Sequence, residues 1–357
     1  MKTYTILGLM SGTSLDGLDM ACCQFELHEG KWRYHVLRAT TVSYPSDLAT
    51  RLAQSMTLSG LELMRLDADF AVFMAKQVLA FADSFSHPGI ELIASHGHTV
   101  FHKPGLGFTT QIGNGAILAA KTGIPTACDF RSVDVALGGQ GAPLVPIGDE
   151  LLFGKYDICL NLGGFSNLSY SDGKKRIAFD VSPCNMALNT LARQLGKDFD
   201  CNGELAQSGH PDSSLLAALE SLEFYRQQPP KSLGKEWFNA QFLPILKSSA
   251  ANITDQLATV TVHIAKRLAE TLNTLPGKTA LVTGGGAKNR FLINSIKKLT
   301  NKQIIIPEEG IIDFKEAIIF AFLGLLRLRT ESNSLQSVTG ARCDSIGGAI
   351  YHGGVGR

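Results

Sequence analysis

No uncharged apolar run approaches the ~18 residues that a membrane-spanning helix needs. The longest, Ile318 to Leu326, is far too short. The chain opens without the basic stretch and apolar segment of a secretory leader. Both absences point to a soluble, cytoplasmic protein. Neither sign of charge is in excess. Lys and Arg number 33 against 32 Asp and Glu, a net charge of +1. That balance leaves no field to draw nucleic acid or an anionic membrane. The seven cysteines include no Cys-x-x-Cys pair, and most lie inside apolar runs. They read as reduced thiols, without a disulfide framework or a structural zinc site. His96, His98 and His102 are near one another but have no thiolate or paired carboxylate beside them, so they do not read as a metal site.

Apolar content is 45% over 357 residues, enough for one large or two medium domains. Strand-like runs cover 3–10, 17–27 and 32–42. A helix starts near Pro45-Ser46-Asp47. Ser59 is placed to cap a second, whose Leu63, Leu66, Phe70, Phe73, Val78, Phe81 and Phe85 share one face. Strand 90–94, a polar turn 95–99, helix 111–122 and strand 124–128 follow. The glycine-rich loop 138–143 reads as the crossing to a second half. There the order restarts: strands 158–162, 168–171 and 176–179, a helix at 185–195, and a long helix at 255–273. Strand 280–283, helix 289–298, strand 304–306 and helix 314–327 complete it. The repeated order predicts a duplicated α/β fold. Its lobes are expected at 1–135 and 136–357, with an insertion near 201–247.

Four glycine-rich turns directly follow predicted strands: Gly8–Gly17, Gly138–Gly141, Leu162–Asn167 and Gly284–Asn289. Backbone N–H groups and hydroxyls at such turns solvate anionic oxygens with no bulky Cβ in the way. None matches the P-loop pattern, and none is a clean dinucleotide fingerprint. Recurrence in the two halves points to a nucleotide held in a cleft, with the first and third turns on its phosphates and the fourth beside base or ribose. Asp180 closes a predicted strand before a helix. It reads equally as a helix cap or as the base of a phosphotransferase.

Gly8-Leu9-Met10-Ser11-Gly12-Thr13-Ser14-Leu15-Asp16-Gly17 resembles the opening signature of the anhydro-N-acetylmuramic acid kinases. The resemblance continues through 95–100, 111–113, 129–131, 138–146, 161–164, 229–232, 283–289 and 337–341, nearly the whole chain. It implies two duplicated actin-like (ribonuclease H-like) lobes with an ATP cleft between them. The implied reaction opens the 1,6-anhydro bridge of the amino sugar with water and transfers phosphate from ATP to O6, with Mg²⁺, in cell-wall recycling. A homodimer is also implied. By position, Asp180 matches the catalytic aspartate. Gly12, Thr13, Ser14, Leu15, Asp16, Gly17, Leu18 and Asp19 match the ATP phosphate loop, and Asn161, Gly163 and Gly164 the second phosphate turn. Gly284, Gly285, Gly286 and Asn289 match the adenosine motif. Ser11, His96, Arg131 and Glu316 match the sugar site.

The chain departs from the family in a few places. Around the base the family reads Phe/Tyr-Asp-Thr-Gly-Pro-Gly-Asn, and here the run is Phe179-Asp180-Val181-Ser182-Pro183-Cys184-Asn185. His98 stands for Gln, Asn114 for Asp and Leu233 for Thr. Two other readings therefore stay open beside the anhydro-sugar kinase: a kinase of another sugar on the same fold, and a nucleotide-binding regulator without turnover.

Overall fold

A computed structural model describes residues 2–12 and 15–354. The chain divides into two compact units, one of residues 1–153 with 314–357 and one of residues 154–313.

The first unit is built on one mixed sheet. Its strands are β1 (Thr3–Ser11), β2 (Leu18–His28), β3 (Lys31–Val42), β4 (Leu92–Lys103), β5 (Phe108–Ile112), β6 (Thr126–Cys128) and a late strand, Ala349–Tyr351. β1, β2 and β3 run antiparallel, and β4 and β6 add in parallel beyond β1. Alternation along β1 sorts its two faces. Leu7 and Leu9 join the core formed with Leu66, Phe70, Met74, Val78 and Phe81 of the helix Gly60–Asp83. That helix begins at the Ser59 cap expected from sequence, closed by Glu62 into a reciprocal capping box. Gly8 faces the other way, where a Cβ would collide with the Ala317 carbonyl oxygen. The helix Glu309–Leu328 thus lies against the opposite face from Phe314 onward, with Phe322 beside Phe25 at 5.4 Å between ring centroids.

The second unit repeats the plan. Strands β7 (Ile158–Leu162), β8 (Phe165–Ser171) and β9 (Arg176–Pro183) are antiparallel. β10 (Thr279–Thr283) and β11 (Gln303–Ile305) extend the sheet in parallel from β7. The spatial order β9-β8-β7-β10-β11 matches β3-β2-β1-β4-β6 strand for strand. The duplicated α/β fold read from element order is therefore present as topology. Leu257, Val260, Ile264, Leu268 and Leu272 of the helix Ile253–Thr274 are buried against this sheet, as their spacing required. A run of short helical pieces between Cys201 and Ser248 has no counterpart in the first unit.

Several local expectations are corrected. The polar stretch 95–99 is not a turn but the middle of β4, because Ser95, His96 and His98 are buried and Ser95 and His98 pair with β1. The helix expected at 111–122 begins only at Gly115, since β5 takes residues up to Ile112 against β4. The loop 138–143 is not a crossing: Gly139 and Gly141 sit over Asp134 and Val135 inside the first unit. The units part instead at 153/154 and 313/314, not at 135/136. The cause is the C-terminal helix, whose residues Ala317 to Leu326 are buried on the first sheet rather than the second. All seven cysteines are unpaired. Among the described residues, no helix is long and apolar enough to cross a membrane.

Candidate functional site

In the second unit the chemistry gathers at the end of β9. Asp180 does not end the strand, which runs on to Pro183. Asn167 pairs with Asp180 and Ser166 with Ser182, so Val181 is an extra residue in a β-bulge. A bulge twists its strand locally and re-aims the neighbouring side chain. The Asp180 carboxylate accepts one hydrogen bond, from the Leu233 N–H at 2.7 Å. Its own N–H donates to the Lys231 carbonyl at 3.1 Å. Burial outweighs the Leu233 bond and pushes the Asp180 carboxyl up to about 6. The group is thus poised to take a proton near neutral pH. Backbone, not side chain, supplies that bond, so Leu at 233 in place of the family's Thr leaves the donor intact.

The Gly163–Gly164 turn joins β7 to β8. The N–H groups of Cys184 and Met186 donate to the Gly164 carbonyl, and that of Asn185 to the Gly163 carbonyl. Across a trans peptide the N–H points opposite to the C=O. With the Gly163 carbonyl drawn toward the helix Asn185–Gln194, the Gly164 N–H faces away from it. Gly164 is exposed, and a Cβ there would find no atom nearer than 3.8 Å. Gly284 is different. Its φ is +80°, and a Cβ would collide with the Asn161 Oδ1. At Gly286 a Cβ would stand 2.7 Å from Leu162 Cβ, whereas Gly285 is exposed and its nearest atom is Asn185 Nδ2 at 3.5 Å. The turn after β10 therefore stacks on the turn after β7, bringing Asn161, Gly163, Gly164 and Gly284–Gly286 together. Asn289 caps the helix Arg290–Leu299 by accepting from the Leu292 N–H at 3.0 Å. That is a structural task the sequence reading did not assign it.

The altered run Val181–Cys184 takes no φ in the left-handed region. Val181, Ser182 and Cys184 are buried. The side chains that replace the family's glycines are absorbed into the core, Cys184 at φ −129° and ψ −106°, outside the ordinary strand and helix regions.

In the first unit, Thr13 and Ser14 of the presumed phosphate loop lie outside the described residues. Around them, Leu15 turns back with φ +61° and its N–H donates to the Gly12 carbonyl at 3.3 Å. Asp16 is exposed. Leu18 and Asp19 belong to β2. Leu18 is fully buried, and Asp19 accepts from the Thr41 hydroxyl at 2.6 Å. Gly17 is held by crowding, since a Cβ would stand 2.8 Å from the Val42 carbonyl oxygen.

Ser11 is buried in a hydrogen-bond chain that the sequence reading missed. The Tyr44 hydroxyl donates to Ser11 Oγ at 2.8 Å, and Ser11 Oγ lies 3.0 Å from His98 Nδ1. Burial pulls His98 down to about 4, so the ring is neutral at pH 7 and its Nδ1 accepts the Ser11 proton. His98 in place of Gln therefore has a partner in Ser11. Nothing in the sequence signals Tyr44, 33 residues away. Asn114, in place of Asp, donates to the Asp67 carboxylate at 3.1 Å, a bond two carboxylates could not make.

His96 and Arg131 are brought together as expected. His96 Nε2 accepts from Arg131 Nη2 at 2.8 Å and from Nε at 3.1 Å, which fixes the ring hydrogen on Nδ1, 2.9 Å from the Gly97 carbonyl. Burial, helped by the Arg131 charge, holds His96 neutral, well below its ordinary value. Arg131 also donates to the Gly141 carbonyl at 2.7 Å. Burial lowers it to about 10, opposed by the charges of Glu316 and Asp134. Glu316 is raised by burial and held back chiefly by Arg131. His96, Arg131 and Glu316 thus form one electrostatically linked cluster. Among the described residues, no three His, Cys, Asp or Glu groups converge to hold a metal ion.

A family model described as anhydro-N-acetylmuramic acid kinase matches residues 4–353. This chain belongs to that family. The anhydro-N-acetylmuramic acid kinase of Hydrogenovibrio crunogenus is 34% identical over 365 residues, covering 97% of each chain. That of Gloeobacter violaceus is 36% identical over 367 residues, covering 96% of this chain and 97% of its own. Among solved structures, a ROK family glucokinase from Streptomyces griseus in complex with glucose and AMPPNP has a TM-score of 0.43 at 12% identity, over 90% of this chain and 99% of that one. That likeness is too loose to add to the argument. The family is one of ATP-dependent sugar kinases, and its members match this chain from end to end.

Proposed function

We propose that the chain converts 1,6-anhydro-N-acetylmuramic acid, water and ATP into N-acetylmuramic acid 6-phosphate and ADP. The single observation that carries the reading is Asp180: a half-buried carboxylate on a bulge, with one backbone donor and a raised pKa. In the proposed step Asp180 takes a proton from water as the water oxygen bonds to the anomeric carbon. The bond from that carbon to the bridging oxygen breaks, and its electron pair stays on O6. O6 then bonds to the γ-phosphorus, and the bond to the leaving ADP oxygen breaks.

Two turns suit ATP. Gly164 and Gly285 offer exposed backbone that no side chain shields, and the Gly164 N–H is turned outward. In the first unit, Gly12 to Gly17 is read as a phosphate loop from its glycines and hydroxyls alone. The exposed Asp16 is the carboxylate that would hold Mg²⁺. An ion that keeps its waters needs no protein cage. It would neutralise charge developing on the phosphates. His96, Arg131 and Glu316 are read as the sugar-binding cluster, in which neutral His96 is kept by Arg131 as a fixed dipole rather than a charge. A cytoplasmic homodimer completes the proposal.

The test is ADP release coupled to a reporter, with anhydro-N-acetylmuramic acid and Mg²⁺. The expected product has gained both water and a phosphoryl group by mass. A panel of hexoses and amino sugars runs alongside, and a better kcat/KM for any of them would replace the proposed substrate. Tight ATP binding without transfer to any sugar would leave the regulator reading standing.

A further inference from the structure

Behind the Asp180 bulge lies a buried polar chain that the reaction as written does not use. His263, on the helix Ile253–Thr274, is fully buried, with Nε2 2.8 Å from the Tyr225 hydroxyl. The Ser182 hydroxyl is engaged separately, donating to the Pro183 carbonyl at 2.9 Å. His263 Nδ1 is buried without a partner, so among the described residues the Tyr225 hydroxyl is the ring's hydrogen-bond partner.

Tyr225 sits in a short helical turn, Glu223–Arg226, in the stretch without counterpart in the first unit. The same turn reaches Asp180 through Phe224. The Phe224 carbonyl accepts from Lys231 Nζ at 3.2 Å, and that ammonium also lies 4.6 Å from the Phe224 ring centroid. The Lys231 carbonyl takes the Asp180 N–H, and two residues on the Leu233 N–H takes the Asp180 carboxylate. The turn is therefore held to the helix Ile253–Thr274 through Tyr225, and it reaches Asp180 through Phe224 and Lys231.

We propose that Tyr225 and His263 are positioning residues for Asp180, anchoring the Glu223–Arg226 turn to the helix Ile253–Thr274 so that Lys231 and the Leu233 N–H stay in place on Asp180. The proposal rests on the reading of Asp180 as the base. Neither residue touches substrate. Other charges near the chain are already matched. Arg267, 5.5 Å from the Tyr225 ring centroid, pairs with Glu270 at 2.6 Å and lies 3.9 Å from Glu220, and Lys266 pairs with Glu220 at 2.7 Å.

Three variants are compared with wild type in the full chain. Tyr225→Phe removes only the hydroxyl. It is expected to lower kcat about tenfold, the worth of one hydrogen bond, with KM for ATP unchanged. The acid limb of kcat against pH should move upward, because a carboxylate that loses its N–H donor holds its proton to higher pH. Tyr225→Phe also leaves the buried His263 ring with no hydrogen-bond partner, so its melting temperature falls. The double variant Tyr225→Phe with His263→Leu has no unpartnered ring. It should recover the melting temperature but keep the shifted limb. If the limb returns with the melting temperature, or never moves, the residues only support the fold and the proposal is overturned. Asp180→Asn is the control. Should it remain active, the base reading itself has failed. Should it be dead while Tyr225→Phe matches wild type, only the positioning has failed.

Discussion

Asp180 carries two opposed demands. Its folded pKa of about 6 lies above its ordinary 3.8, so the folded state binds the proton more tightly. Between those values stability falls as pH rises, and above about 6 the ionised carboxylate costs about 3 kcal/mol. Asp180→Asn removes that charge and keeps an acceptor for the Leu233 N–H. The variant should be more stable than wild type by about 2 kcal/mol at pH 8, with the gain absent near pH 4, as urea unfolding at the two pH values would record. The same variant should lose about 10²–10⁴-fold in kcat while its ATP affinity holds. In wild type, kcat should rise with pH through about 6 and then level, since the base works only when ionised. A flat profile from pH 5 to 8 would argue against Asp180 as the base.

At the scale of elements, the two glycine turns of the second unit make contrasting predictions. Gly164→Ala places a methyl in open space at an ordinary φ, so the fold should hold. A methyl on backbone that meets phosphate should still raise the Kd for ATP about tenfold by calorimetry. Gly284→Ala meets Asn161 and a φ of +80° at once. It should lower stability by at least about 2 kcal/mol before any ligand is added. The sequence marked both turns but could not separate these roles, because a glycine run looks the same whether it spares room for a ligand or for its neighbour. Strand and helix faces were legible wherever periodicity was strong, as in Leu257 to Leu272 and in the Ser59 cap. They were not legible at 95–112, where buried His96, His98 and Ser95 read as polar and therefore as turn. Asp180 was found by motif, yet its bulge was invisible, since a bulge depends on what the partner strand does.

At the scale of the molecule, the duplication could be read from element order and is now confirmed by matching strand order in the two sheets. The division could not. The helix Glu309–Leu328 follows β11 in sequence just as a helix of the second lobe would, and an apolar run does not say which sheet it covers. Ligand linkage offers a test at this scale. A nucleotide bound at a hundred times its Kd should add about 2.7 kcal/mol to the stability of the unit that holds it. Heating with ATP, followed by probes in each unit, would show which unit gains.

Because residues 314–357 close the first unit, the second is a continuous insert within a discontinuous host. On the ribosome, residues 154–313 emerge whole while the first sheet still lacks one cover. Until Ala317 and Phe322 emerge, the β1 surface around Gly8 has no Ala317 to lie against, and Phe25 has no Phe322. The insert should therefore fold first, and the part made first should fold last. Expressed alone, residues 154–313 should give a cooperative melt. A chain stopped at Asp313 should carry that folded insert on an uncovered sheet and aggregate. Nascent chains of that length should be the ones a chaperone holds.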